Sequence, residues 1–250
     1  MPALFLLLSA AAFPARSAAQ ELQSEGSRAN LESSLSDAYR TIKERLAGYA
    51  PIVSKRREDA AALPFLQSVG NVVVSGGSPF RNRVREDLSL IYATPTGKAL
   101  IDSVGRSGHR LYIRSAAAEG RIGSCADSVE GARTEDAYVD LDEHSGAGTD
   151  VVVTYDHALM SYGSRPARPP AIGLAHELIH AHMRMTGRLR HEWTSENIRV
   201  PNPEDPRTVS VYMLVEAVVI GIAPYEHLYP FTENMIRGEW SPPQPLRTSH

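Results

Sequence analysis

His176, Glu177 and His180 stand in the order His-Glu-x-x-His, a spacing with a direct chemical consequence. On a helix of about 3.6 residues per turn, positions four apart share a face, so the two imidazoles can aim at one metal ion. Glu177 then stands beside that ion. A zinc ion so held lowers the pKa of a bound water to about 7, and an adjacent carboxylate can take the proton as the water attacks a polarised peptide carbonyl. Nine histidines in the chain could produce the order by accident. The flanking Leu174, Ala175, Leu178 and Ile179 argue otherwise, because ionisable groups on so apolar a helix call for a metal or a partner. His182 lies off the face shared by His176 and His180 and reads as a surface or supporting histidine, not a ligand.

A catalytic zinc site takes three protein ligands and keeps one position open, and two histidines with a glutamate form a standard set. Cys125 is the sole cysteine, so it makes no internal disulfide and the remaining ligand is sought among carboxylates. Glu216 is the candidate, a lone charge in the otherwise apolar stretch 211–220, where it needs pairing or a metal. Its alternative is a solvated surface glutamate. Glu192, Glu196 and Glu204 fall in a polar, proline-containing loop with no reason for burial, and Asp205 reads as a helix cap. Glu233 stands four residues before Arg237. The two form either an exposed ion pair of a few tenths of a kcal/mol, or an arrangement in which Glu233 orients a ligating histidine through its second ring N–H.

The elements that must position these residues follow from periodicity and punctuation. The spacing predicts helices over 30–46, 83–92, 98–104, 171–185, 207–220 and 233–239, with Asp205-Pro206 and Thr232 as N-terminal signals and Gly187 and Gly221 as stops. Residues 71–75, 111–114 and 151–155 read as strands, and 115–150 as long loops around short strands. Residues 1–28 stand apart as a leader: a short apolar run, then Ser17-Ala18-Ala19, resembles a signal peptide without a preceding basic residue. That segment is either a signal peptide or an unstructured leader. One folded domain over 29–250 accounts for the rest of the 250 residues. Apolar residues at 42%, charged residues at 22% and a net charge of −3 give no electrostatic case for nucleic acid. No apolar run approaches the roughly 20 residues that a stable membrane span needs.

The zinc motif with a downstream glutamate resembles the gluzincin arrangement of clostridial neurotoxin light chains. More closely, the chain is similar to the NleD, HopH and XopG family of bacterial type III effector metallopeptidases. The likeness runs through residues 93–98, 148–150, 173–181, 216–221 and Phe231-Thr232-Glu233-Asn234-Met235-Ile236-Arg237, together spanning roughly 70–250. It implies an α+β fold with one zincin-like domain, a small mixed sheet plus helices carrying the zinc site. His176, His180 and Glu216 would be ligands to one zinc ion per chain, and Glu177 the general base. The resemblance further implies a late Arg-x-x-Tyr pair at the oxyanion; here the positions are Arg247 and His250, so a histidine stands where tyrosine is expected. It places an extended substrate along the strand at 151–155, and implies secretion, delivery into a host cell and a host signalling kinase as target. Two other readings stay open: a zinc-binding interaction protein that no longer hydrolyses, and a peptidase exported to the periplasm or medium. Oligomeric state has no signal in the sequence.

Overall fold

Three consecutive valines, Val72 to Val74, favour extended backbone because their branched side chains are stiff at the first torsion. In the computed structural model, which describes residues 70–159, 168–201 and 209–248, they form β1 (Val72–Ser75). Gly76 and Gly77 then turn the chain into α1 (Ser78–Tyr92), which begins five residues before the expected 83 because Pro79 suits a first helical turn. After α2 (Pro95–Arg106), β2 (Leu111–Ser115) pairs parallel with β1. Parallel neighbours need a long crossover, which α1 and α2 supply.

Strand β3 (Cys125–Ser128) and β4 (Val151–Tyr155) complete the sheet in the order β1-β2-β4-β3, with β4 parallel to β2 and antiparallel to β3. The expected small mixed sheet is therefore present, and residues 115–150 hold one short strand and two short helical turns amid loops. β4 has neighbours on both edges. The expectation that a substrate lies along 151–155 is thus corrected: the open edge beside it belongs to β3.

Helix α3 (Pro170–Met185) lies against α1, α2, β3 and β4 and is buried at every position except His180 and Arg184. Its Leu174, Leu178 and Ile179 meet Ile91, Leu100, Ile113 and Val153 in one continuous core, each residue at most 1% exposed. Burying a side chain of this size contributes about 1.5–3 kcal/mol, so the core fixes α3 rigidly. The Gly148-Thr149-Asp150 segment serves the same packing. Gly148 has φ 86°, and a Cβ there would come within 2.2 Å of the Met185 carbonyl, while the Thr149 N–H donates to the Arg184 carbonyl.

The last third departs from expectation over 207–220. Val209–Met213 is a strand, β6, antiparallel to β5 (Asn197–Pro201), and only Leu214–Ile220 is helical, as α5. Val209, Val211 and Met213 are 52%, 59% and 45% exposed and alternate with buried Tyr212, the period of two that marks a strand. Their apolar character imitates a helix in the sequence because they cover the outer face of the hairpin. The polar loop expected around Glu192 and Glu196 is also corrected: α4 (His191–Ser195) and β5 occupy it. The final helix, α6 (Glu233–Glu239), is capped as expected by the Thr232 side chain, which accepts from the Met235 N–H. The leader 1–28, the helix expected at 30–46, the Asp205 cap and His250 lie outside the described residues.

Candidate metal centre

His176 and His180 lie one turn apart on α3, with ring centroids 4.9 Å apart. Their Nε2 atoms are separated by 3.2 Å. Glu216 stands against both rings, with one carboxylate oxygen, Oε2, 3.2 Å from His176 Nε2 and the other, Oε1, 3.2 Å from His180 Nε2. Zinc–ligand bonds of about 2.0–2.1 Å at tetrahedral angles put ligand atoms roughly 3.3 Å apart. The spacing of the two imidazole nitrogens, and of each from one oxygen of the Glu216 carboxylate, suits side chains that would hold one zinc ion between them. Nitrogen and carboxylate oxygen are donors that zinc accepts, so the residues fit the ion that their types predict.

Glu216 reaches this point because β6 runs without a loop into α5, placing it in the first helical turn. The Leu214 N–H donates to the Glu196 carbonyl and fixes where that helix begins. Burial works to lower the His176 pKa, yet the Glu216 and Glu233 carboxylates outweigh it and raise it to about 9. The same carboxylates stabilise positive charge at this point, whether carried by a proton or by a metal ion. Glu177 is only 8% exposed; burial raises its pKa above the ordinary range, partly offset by His176 and His180. A carboxylate so shifted is better matched to proton transfer near neutral pH.

Behind His176 lies the complex that the Phe231–Arg237 segment builds. Glu233 is fully buried and its Oε2 stands 2.9 Å from His176 Nδ1. Burial works to raise the Glu233 pKa, but the His176 hydrogen bond and charge, with Arg247 and Arg168, hold it well below the usual carboxylate range. Arg237 Nε donates to Oε1 at 2.7 Å and Arg247 Nη1 to Oε2 at 3.0 Å, with Arg168 Nη1 3.4 Å from Oε1. The expected exposed ion pair of Glu233 and Arg237 is corrected, since both residues are buried, and the same carboxylate stands against the His176 ring as the other reading expects. Asn234 explains the next letter of the motif. Its side chain accepts from the Arg247 N–H at 2.7 Å and donates to the Arg247 carbonyl at 2.8 Å and to the Gly221 carbonyl at 3.2 Å. Thr232 caps, Glu233 orients, Asn234 holds the returning tail, and Arg237 neutralises.

These groups open into a cleft of about 560 Å³ lined by His176, Glu177, His180, Glu216 and Arg247, with β3 along one wall and Leu189, Met213 and Val215 on another. The Val129 N–H donates to the Asp150 carbonyl, so alternate residues of β3 turn their amide groups to β4 and those of Ala126 turn outward. The outward Ala126 carbonyl accepts from Arg184 Nε at 3.2 Å.

The sequence model of the Peptidase M91 family, described as effector proteins, matches residues 69–248. The chain belongs to that family. No curated protein sequence matches this M91 peptidase. Among solved structures, the Clostridium botulinum neurotoxin serotype F light chain is similar over 58% of the M91 chain and 44% of its own, at 17% identity and a TM-score of 0.44. The catalytic domain of the same serotype is similar over 58% and 42%, at 16% identity and a TM-score of 0.39. The M91 chain thus spans less than half the length of either.

Of the M91 chain's expected site residues, His176, Glu177, His180, Glu216 and Arg247 come together around one cleft. His182 is corrected: it is 2% exposed and lies neither at the surface nor at the metal centre. Its Nδ1 stands 2.6 Å from the Tyr229 hydroxyl and its Nε2 2.7 Å from Ser103 Oγ, a core histidine tying α2 to α3. Arg168 was not foreseen, since no periodicity leads to it. Its one trace in the sequence is Gly173, where a Cβ would stand 3.2 Å from the Arg168 guanidinium.

Proposed function

We propose that this M91 effector peptidase is a zinc-dependent endopeptidase that hydrolyses a peptide bond within a protein substrate. The observation that carries the reading is the cluster of His176, His180 and Glu216, whose imidazole nitrogens lie 3.2 Å apart and each 3.2 Å from one oxygen of the Glu216 carboxylate, a spacing that one zinc ion would suit. Such an ion, when bound, activates water and polarises a carbonyl. Glu177 takes the proton of the attacking water, a role that its raised pKa and its place on the cleft wall support. Returning that proton to the leaving amine falls to the same carboxylate. Glu233 fixes the His176 ring by accepting from Nδ1, and Arg247 stabilises the negative charge developing on the carbonyl oxygen.

An extended substrate lies along the outward edge of β3, where main-chain pairing would present its scissile bond to Glu177. The family's description as effectors supports secretion and delivery into a host cell, with a host signalling protein such as a kinase as substrate. No helix among the described residues is long and apolar enough to cross a membrane.

Metal analysis tests the reading at its root. Purified protein should hold one zinc per chain, lose both zinc and peptidase activity to a chelator, and regain both with one equivalent of zinc. Full zinc affinity in a Glu216→Ala variant would overturn the ligand assignment, and activity that survives complete stripping would overturn the mechanism.

A further inference from the structure

Helix α3 is buried at every position except two, His180 and Arg184. They are four residues apart and so share a face, with Arg184 about 6 Å further along the axis, and both line the cleft. His180 belongs to the metal centre. Arg184 has no role there, yet it carries a positive charge into the lane between α3 and β3.

The three arginines of the cleft wall differ in their partners. Arg168 and Arg247 stand against the buried Glu233 carboxylate. Arg184 Nε donates to the outward carbonyl of Ala126, and among the described residues no carboxylate lies within salt-bridge distance of its guanidinium. Among those residues a neutral carbonyl is the hydrogen-bond partner of this charge. The fork of a guanidinium fits a carboxylate with two parallel hydrogen bonds, and in a half-buried cleft such a pair gains more than it would in water.

We propose that Arg184 is a specificity residue that receives an acidic side chain of the substrate, a few residues from the scissile bond. The inference rests on the reading of the cleft as a peptide-binding groove. A chain pairing along β3 meets the guanidinium at Ala126, where the outward acceptor is already taken. A substrate with Asp or Glu at that place gives the arginine a better acceptor, whereas a neutral residue must disturb the Arg184 bond without replacing it.

The test uses full-length, zinc-loaded protein carrying Glu177→Gln, so that peptides bind without being cut. The probes are fluorescent, acetylated and amidated peptide pools, random except for Glu or Gln fixed at each position in turn, read by anisotropy. At one position the Glu pool should bind about tenfold more tightly than the Gln pool. Adding Arg184→Gln should abolish that preference, Arg184→Lys should weaken it, and Arg184→Glu should move it to pools with Lys fixed at the same position. A Glu preference that survives Arg184→Gln, or no preference in the parent protein, overturns the proposal. Incubating the same pools with zinc-loaded wild type separates the two claims: acidic peptides bound through Arg184 but never cleaved would sink the endopeptidase reading and leave this one standing.

Discussion

At Glu233 one carboxylate meets the His176 ring and the guanidinium groups of Arg168, Arg237 and Arg247. Two oxygens offer about four acceptor sites, so the set of donors matches the acceptors. Glu233→Gln replaces one acceptor by a donor and leaves buried positive charge unanswered, and zinc affinity should fall about tenfold to a hundredfold. Competition against a chromophoric chelator measures it; unchanged affinity would remove Glu233 from the metal centre. Asn234 acts on a different step because it holds the Arg247 backbone and touches no ligand. Asn234→Ala should therefore leave zinc affinity in place while lowering the rate of peptide cleavage by up to about a hundredfold. Equal losses in both would make Asn234 a structural residue only. At this scale the juxtaposition of His176 and His180 was legible in the sequence, since a helix turn converts spacing directly into shared direction. It was silent on Arg168 and Arg184, whose partners lie far along the chain and follow from packing.

Among the elements, α3 could be read in advance because it is apolar nearly all round and Pro170 and Gly187 mark its ends. The β6–α5 segment could not, because Val209, Val211 and Met213 turn apolar side chains to the surface and so extend the hydrophobic pattern of the helix that follows. Glu216 still stands beside His176 and His180, because its local surroundings, not the length of its helix, carried that expectation. How α6 is anchored was also hidden. The Glu239 carboxylate accepts from the Thr96 N–H at 2.7 Å and the Thr96 hydroxyl at 2.6 Å, joining the first turn of α2 to the last of α6. Thr96→Val keeps the shape but leaves a charged acceptor short of a donor, which should destabilise the protein by about 1–3 kcal/mol. Urea denaturation would show it, and a change below about 0.5 kcal/mol would mean the contact is not maintained in solution.

For the whole molecule, acid–base behaviour of the core provides a test independent of the metal. Asp87 is buried between α1 and β4, with Oδ2 accepting from Arg83 Nε and the Tyr155 hydroxyl. Its Oδ1 is buried and has no hydrogen-bond partner among the described residues. Burial raises its pKa from 3.8 to about 6, against the lowering influence of Arg83 and Tyr155. Between those values the fold binds more protons than the unfolded chain, so this contribution is present below 3.8 and lost as pH rises through about 6. The stability of Asp87→Asn relative to wild type should therefore improve as pH rises across that window, measured by urea denaturation at several pH values. A difference that stays flat would show that Asp87 does not titrate there.

Sheet, helices and cleft converge on one claim, that Glu177 moves a proton for a zinc ion held by His176, His180 and Glu216. The most direct measurement compares zinc-loaded wild type with zinc-loaded Glu177→Gln on a host-cell lysate by terminal-peptide proteomics. The account predicts equal zinc content and new protein termini with wild type, formed about a hundredfold to ten-thousandfold more slowly by the variant. Equal zinc content with no difference in termini between the two proteins would contradict it.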